Sequence, residues 1–482
     1  MHPPDPPLFL VVGAGLAGLA AADALVALPP PLRPRVVVLE RSGAAGGVVQ
    51  TVRRDGWLVE RGADNFLAAR PEALAVVERL GLAGELLPVR AEARRALVWH
   101  RGRTLPVPEG FRLLAPGSAA GIRATELLSP EGKTRVLAER DVPPGGEGGD
   151  ESLESFALRR LGREAFDRLV QPLVAGIWTA DPARLSMEAA CPEFLRMERE
   201  HGSLSAAEEA RLETSGVGHR AEGARYGQFV TLASGMATLA DVWLRRLCAD
   251  GVGWRNGRTT GIARGPEGGY RVSVVDPSGN EETVAADGVV VAVPAPAAAG
   301  IVASLDDRLA AELRGVEYAG SVVVVLGYRR DRVAHPLDAA GLVVPRVEGR
   351  AALAISFASS KYDGRAPEGH VLLRVFLGGA LDPGRVALDD DRLVALARAE
   401  VADLLGAEGE PALVEIARWP GAMPQYHVGH AARVAAIGRR LDVLPGAALA
   451  GAAYQGVGIP QVIASGQAAA ARVLAAAPAR GA

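Results

Sequence analysis

LFLVVGAGLAGLAAADALVAL, Leu8 to Leu28, carries one charged residue, Asp23, in 21 positions. Such a run serves a secretory leader, a membrane-spanning helix, or a strand, turn and helix that hold a nucleotide. Its length alone does not choose, because about 20 apolar residues cross a bilayer as a helix. A leader opens on positive charge, whereas Met1 to Pro7 contain Asp5 and neither Lys nor Arg. The glycines decide. Gly13, Gly15 and Gly18 form G-A-G-L-A-G, a G-x-G-x-x-G pattern between a β-type run and an Ala/Leu-rich helix. In that setting Gly13 permits the tight turn, Gly15 lets backbone approach a pyrophosphate, and Gly18 lets the helix pack on the strand. A second β-type run, Arg35 to Leu39, ends on Glu40, 22 residues past Gly18. An acid roughly 20 residues beyond the glycines is placed to bind a ribose. The reading is a dinucleotide-binding unit.

Composition narrows the rest. At 482 residues, length alone allows about three domains or intertwined lobes. A hydrophobic content of 49%, a charged content of 23% and a net charge of −3 describe an ordinary folded chain. No basic stripe with interleaved aromatics points to nucleic acid. Of 53 basic residues only Lys133 and Lys361 are lysines, a bias expected of a GC-rich bacterial genome. Cys191 and Cys248 lack metal-ligand spacing and read as two buried thiols, so no metal is expected. No Ser/His/acid or H-E-x-x-H pattern occurs.

Along the chain, the doublet Gly46-Gly47 follows Glu40, and W-L-V-E-R-G-A-D-N-F-L alternates like a strand before a turn at Gly62 to Asn65. Residues 70–87 read as an amphipathic helix, and RALVWHRGRTLPVP as a hairpin turning at Gly102. Residues 110–215 are mainly helical in pattern, with 151–173 strongly so and 143–152 a flexible breaker loop. Strand patterns return at 270–275, 287–293 and through 320–376, a helix at 393–405, and a final helix opening near Ser465.

These motifs resemble the FAD-dependent protoporphyrinogen and coproporphyrinogen oxidases within the flavin amine oxidase-like superfamily. The similarity runs from about Leu8 to Val473. Its most specific stretches are ESLESFALRRLGREAFDRLVQPLVAGIWTADPARLSMEA at 151–189, MEREHGSL at 197–204, FASSKYDGRAPEGHVLLRVFLGG, RWPGAMPQYHVGHAARVAAI, and G-x-x-Y-x-G-V-G at 451–458. The resemblance implies an α/β fold, with an FAD-binding Rossmann-like domain of the p-hydroxybenzoate hydroxylase type assembled from residues 8–90, 232–300 and 440–482. It implies a β-rich substrate lobe from 91–107 and 301–439, and a mainly helical, membrane-facing lobe from 108–231. The activity implied is three two-electron oxidations of a porphyrinogen to the porphyrin in haem biosynthesis. FAD carries the redox chemistry and oxygen reoxidises it.

The resemblance also assigns residues. Gly13, Ala14, Gly15, Leu16, Ala17 and Gly18 cradle the pyrophosphate, Glu40 binds ribose, and Arg41 follows along the adenosine. Gly46, Gly47 and Val48 pass close to the dinucleotide, although the cations that relatives carry near this doublet are Ala44 and Val48 here. Gly62, Ala63, Asp64 and Asn65 run beside the flavin ring. Asp64 is the catalytic candidate, accepting a pyrrole hydrogen bond or a proton; the bland alternative is a carboxylate that fixes a turn. Thr259 meets adenine. Trp419, Val457, Gly458 and Ile459 contact flavin, and Ser465-Gly466 at the start of the last helix faces its pyrimidine edge. Gly176 lies beside the macrocycle, with Trp178 and Ala180 where Tyr and Gly are common. Arg95 reaches a substrate propionate in place of an Arg that relatives carry where Ala96 stands.

Ala452 replaces a polar residue, and Gln461-Val462 stands where many relatives have Asp-Cys. Two alternatives therefore stay open: another oxidase or desaturase of the superfamily, and a diverged, non-catalytic porphyrin- or FAD-binding paralogue. A cytoplasmic location without a membrane span is expected, with peripheral attachment to the inner face of the cell membrane through part of residues 110–215, where Phe111, Leu113, Leu114, Ile122, Leu127 and Leu128 either anchor in lipid or close the helical lobe's own core, and with hand-over of product to a chelatase. Both porphyrinogens are expected as substrates, with protoporphyrinogen IX somewhat favoured.

Overall fold

The computed structural model describes residues 6–29, 33–145, 149–215, 228–266 and 268–476. Its centre is a five-stranded parallel sheet. The strands lie in the order Gly253–Asn256, Arg35–Glu40, Leu8–Val12, Gly288–Val291, Ala447–Leu449. Three distant parts of the chain therefore supply one sheet. Its middle strand, LFLVV, is buried along four of its five residues, as a parallel strand covered on both faces must be.

The opening apolar run resolves into this strand, the glycine turn and the helix Leu16–Val26. Nine of the helix's eleven residues are buried, because the final helix, Ile459–Ala475, packs across it. A Cβ on Gly466 would come 2.1 Å from the Ala17 carbonyl oxygen, so the crossing needs glycine there. A helix packed all round has no polar face to show in its sequence. Asp23, its one charge, pairs with Arg79. No helix among the described residues is long and apolar enough to cross a membrane.

The second body is a seven-stranded sheet in the order Leu413–Pro424, Tyr318–Arg329, His370–Gly378, Ala352–Phe357, Gly341–Val343, Ala96–His100, Arg103–Pro106. It is antiparallel except where Gly341–Val343 runs parallel to Ala96–His100. One face, with Val324, Leu373, Val375 and Leu97, packs on the helix Asp390–Leu405. The other face carries Trp57, Val323, Val325 and Trp419. The last two strands form the expected hairpin, turning on Arg101 and Gly102 at φ +49° and +86°. A third, helical body has its own core, built on Phe156, Phe166, Leu169, Val174 and Phe194. Inside it, fully buried Arg160 lies between Glu139 and Glu198.

Several expectations change. The helix foreseen over 70–87 stops at Arg79, since Gly81 turns the chain at φ +73°, and Leu86–Pro88 becomes a strand. The stretch 151–173 is broken at Gly162, φ +85°, between the helices Leu153–Leu161 and Arg163–Ala165. The last helix opens at Ile459 with Pro460 in its first turn, not at Ser465, which lies within it. Cys248 is exposed. Part of the 143–152 loop, residues 146–148, lies outside the described residues. Of the two roles foreseen for the candidate membrane anchors, the core is the one observed. Leu113, Leu114, Ile122, Leu127 and Leu128 are buried in the helical body's own core, and Phe111 packs against it.

Candidate functional site

The parallel sheet, the first helix and two further glycine loops build a cradle. Gly13 turns the chain at φ +97°, and a Cβ there would sit 2.6 Å from the Ala292 carbonyl oxygen. A Cβ on Gly18 would lie 1.9 Å from the Gly13 carbonyl oxygen. Gly15 differs: nothing lies within 4 Å of the position its Cβ would take. As N-cap it offers the helix no side-chain cap, so the first-turn amides have no capping side chain to bond. Open space before an uncapped helix start suits a phosphate.

Glu40 stands at the end of the neighbouring strand. Its carboxylate accepts from the Ala14 amide at 2.8 Å and from the Ser42 amide and hydroxyl, each at 2.8 Å. An ionised carboxylate takes about four hydrogen bonds, so acceptor capacity remains for a ribose. Gly46 bonds back to the Ala14 carbonyl at 2.8 Å, and Gly47, at φ +61°, sits over the Gly15 Cα. Val48 follows, apolar yet 47% exposed. A Cβ on Gly62 would lie 1.9 Å from the Val48 carbonyl oxygen and 3.5 Å from the Trp419 ring, whose Nε1 donates to the Arg61 carbonyl at 2.9 Å. Ala63, Asp64 and Asn65 continue from Gly62, half-buried.

Beyond Glu40, the Gly257 amide bonds its carbonyl, which brings the strand Arg258–Arg264 alongside. Thr259 is buried there with a hydroxyl that has no partner. Arg41 is exposed and lines an open cleft of about 400 Å³ with Ser42, Asn256 and Arg258. At the other end, Val457 and Gly458 lead into the last helix, and Ile459 shares a core with Leu16 and Ala17. Tyr426 braces this turn: its hydroxyl donates to the Ala452 carbonyl at 2.6 Å and accepts from the Gly456 amide at 2.7 Å. Ser465 accepts from the Gly451 amide at 3.0 Å, and Gln461 fills the inside of the turn against Gly456 and Gly458.

Asp64 lies at a junction of charges. Its Oδ2 meets the Lys361 ammonium and, at 2.9 Å, the Arg374 guanidinium; Oδ1 accepts from Asn65 at 3.1 Å. Arg374 also donates to the Gly62 carbonyl, so one side chain positions both ends of the loop. Burial works against the charge on Asp64, yet Lys361 and Arg374 hold its carboxyl well below the usual carboxylate range. It is therefore a firm hydrogen-bond acceptor and a poor proton acceptor. Sequence reasoning noted Lys361, one of only two lysines in the chain, without linking it to Asp64, and passed over Arg374.

Gly176 is exposed in the helix Gln171–Trp178, most of which is buried, and a Cβ on it would meet the Val343 side chain at 3.8 Å, an ordinary van der Waals contact. Four buried polar atoms have no partner here: Ser356 Oγ, Thr179 Oγ1, Gln425 Oε1 and Arg374 Nε. Ala96 lies in line with Arg374 through Ser356 and Gly341. Arg95, one position earlier, shares the side of Leu97, which faces the opposite core. It bonds the Asp338 carbonyl at 2.9 Å and pairs with the Asp338 carboxylate near solvent. Arg95 is therefore engaged with Asp338 in this structure.

A family model described as flavin containing amine oxidoreductase matches residues 16–474. Coproporphyrinogen III oxidase of Bacillus subtilis (strain 168) is 32% identical over 463 residues, 95% of this chain and 96% of that protein. Protoporphyrinogen oxidase of Bos taurus is 31% identical over 496 residues, 96% of this chain and 98% of the relative. A crystal structure from Exiguobacterium sp. 255-15, provisionally named a protoporphyrinogen oxidase, superposes with a TM-score of 0.84 at 27% identity, covering 97% and 99% of the two chains.

Proposed function

The chain belongs to the flavin-containing amine oxidoreductase family and is an oxidoreductase; from that premise we propose that it oxidises coproporphyrinogen III and protoporphyrinogen IX to their porphyrins, with FAD as cofactor and oxygen as final acceptor. The observation that carries the reading is similarity along nearly the whole chain to relatives named for both reactions, at 32% and 31% identity. Two identities so close favour neither substrate. Arg95 would reach a substrate propionate only by leaving Asp338.

The cradle fits the cofactor. Bound FAD would supply the two-electron chemistry that no side-chain constellation here provides. Gly13 to Gly18 would hold its pyrophosphate at the helix start, and Glu40 its ribose. Arg41 and Thr259 would flank the adenosine, with Gly46, Gly47 and Val48 closing over the phosphates. Gly62 to Asn65, Trp419 and Val457 to Ile459 would surround the ring system. We assign residues 8–90, 232–300 and 440–482 to the cofactor domain, 91–107 and 301–439 to the substrate lobe, and 108–231 to the helical lobe. Gly176 would lie beside the macrocycle, and Asp64 would accept hydrogen bonds from the porphyrinogen.

Peripheral attachment to a bilayer would draw on residues other than the buried leucines, and porphyrin hand-over to a chelatase would follow release at that surface. Oxygen uptake with coproporphyrinogen III and with protoporphyrinogen IX, read alongside porphyrin fluorescence, tests the activity. Uptake with neither substrate by a fully flavinated preparation would overturn it. Flotation with anionic and neutral liposomes tests attachment.

A further inference from the structure

Asp64 faces charged and titratable groups from every element packed against it. They are Lys361 at the end of the helix Ala358–Lys361, Arg374 in the strand His370–Gly378, Glu60 in the strand Trp57–Glu60, and Tyr362 and Arg365 in the segment after Lys361. Two are committed elsewhere. Glu60 accepts from the Thr51 hydroxyl at 2.7 Å and the Met236 amide at 2.8 Å. Arg365 donates to Thr231 Oγ1 and to the carbonyls of Leu232 and Ala233. The Tyr362 hydroxyl has no partner, and burial pushes its ionisation far up, so it stays neutral. Asp64 is thus left with two cations in direct contact, Lys361 and Arg374.

The arrangement is layered. The Asp64 side chain is 18% exposed, whereas those of Lys361 and Arg374 are 8% and 2% exposed. The carboxylate is the most accessible of the three groups, and the two cations lie deeper, in contact with it. A porphyrinogen presents pyrrole N–H donors, and an ionised carboxylate is a stronger acceptor for them than a neutral one. Removing one of two contacting cations leaves burial opposed by Arg374 alone, and a neighbouring cation is worth about one to three pH units to a carboxyl.

We propose that Lys361 is a positioning residue: in contact with Asp64 from the buried side, and together with Arg374, it holds this carboxylate as the acceptor for the pyrrole N–H groups of the substrate. The inference rests on the function proposed above. Lys361 does not itself meet the substrate, so its loss acts through Asp64.

The test uses the flavin-loaded protein and its Lys361→Met, Lys361→Arg, Asp64→Asn and Lys361→Met/Asp64→Asn variants. Infrared titration of the carboxylic-acid C=O stretch reads Asp64 directly, without turnover. The wild type should show no such band that is lost in Asp64→Asn. Lys361→Met should gain one as pH falls, absent from the double variant. The acid limb of kcat/KM should rise by about one to three pH units in Lys361→Met, with flavin content and absorbance unchanged. Lys361→Arg should return the wild-type profile, and the double variant should be no slower than Asp64→Asn. If Lys361→Met fails to fold, Lys361→Gln serves in its place. A charge-removing variant that oxidises porphyrinogen with the wild-type pH profile and shows no carboxyl band overturns the role of Lys361 alone. A wild type that oxidises no porphyrinogen overturns the functional reading, and the role falls with it.

Discussion

At the scale of single residues, the three glycines of G-A-G-L-A-G fail in different ways when substituted. Gly15→Val puts its side chain into open space, so the apo-protein should fold with near-normal stability and purify without yellow colour. Gly18→Ala drives a methyl into the Gly13 carbonyl, and overpacking of this kind costs about 1–3 kcal/mol. Thermal melts alongside flavin absorbance separate the two, and a yellow Gly15→Val protein would remove the pyrophosphate assignment. Tyr426→Phe deletes the hydroxyl that joins Ala452 and Gly456. It strands a backbone amide at a cost of about 1–3 kcal/mol if that amide stays dry. Weaker flavin retention on dialysis, with the fold intact by circular dichroism, is the expected outcome. Much of the cradle was legible because glycine is irreplaceable where φ is positive or backbones touch. The cations behind Asp64 were not, since their partner lies about 300 residues away in sequence and only the sheet brings Arg374 under the loop.

At the scale of elements, the helix His430–Asp442 begins on a buried histidine stacked on Tyr426, with ring centroids 4.0 Å apart. Burial lowers the His430 pKa to about 4. The unfolded imidazole titrates near 6.5, so the unfolded chain binds the extra proton first. Stability from this site is therefore complete above about pH 6.5 and drains away as pH falls towards 4, on the order of 3 kcal/mol in all. His430→Phe keeps an aromatic stack and should flatten this part of the curve in denaturant titrations across that range; an unchanged slope would clear the residue. Elements with strong periodicity or a sharp turn were legible, such as the hairpin at Gly102 and the helix ending at Leu405. Boundaries set by a single left-handed residue, Gly81 or Gly162, were not, because a buried face continues its pattern across the break.

At the scale of the whole molecule, one parallel sheet gathers strands from residues 8–40, 253–291 and 447–449, so cofactor binding and global folding should be coupled. Flavin removal should lower the melting temperature of the entire chain in one transition, as a ligand that binds only the folded state requires. The helical body carries its own charged core. Glu139→Ala leaves fully buried Arg160 without its closest partner, a change worth about 3–5 kcal/mol. That variant should melt earlier while its flavin spectrum stays unchanged. That separated segments build one nucleotide domain was legible from the α/β pattern at both ends of the chain; which strands would be neighbours was not, because each strand run looks alike. For Leu114, Ile122 and Leu127 the sequence left lipid and the lobe's own core both open, because an apolar residue does not announce which it meets; the structure buries them in the core. The most direct test is an anaerobic mixing experiment, in which the purified yellow protein receives a stoichiometric amount of coproporphyrinogen III or of protoporphyrinogen IX. The account predicts bleaching of the flavin absorbance with matching growth of porphyrin fluorescence, and return of the yellow colour on admitting oxygen; a flavin that stays oxidised with both porphyrinogens would contradict it.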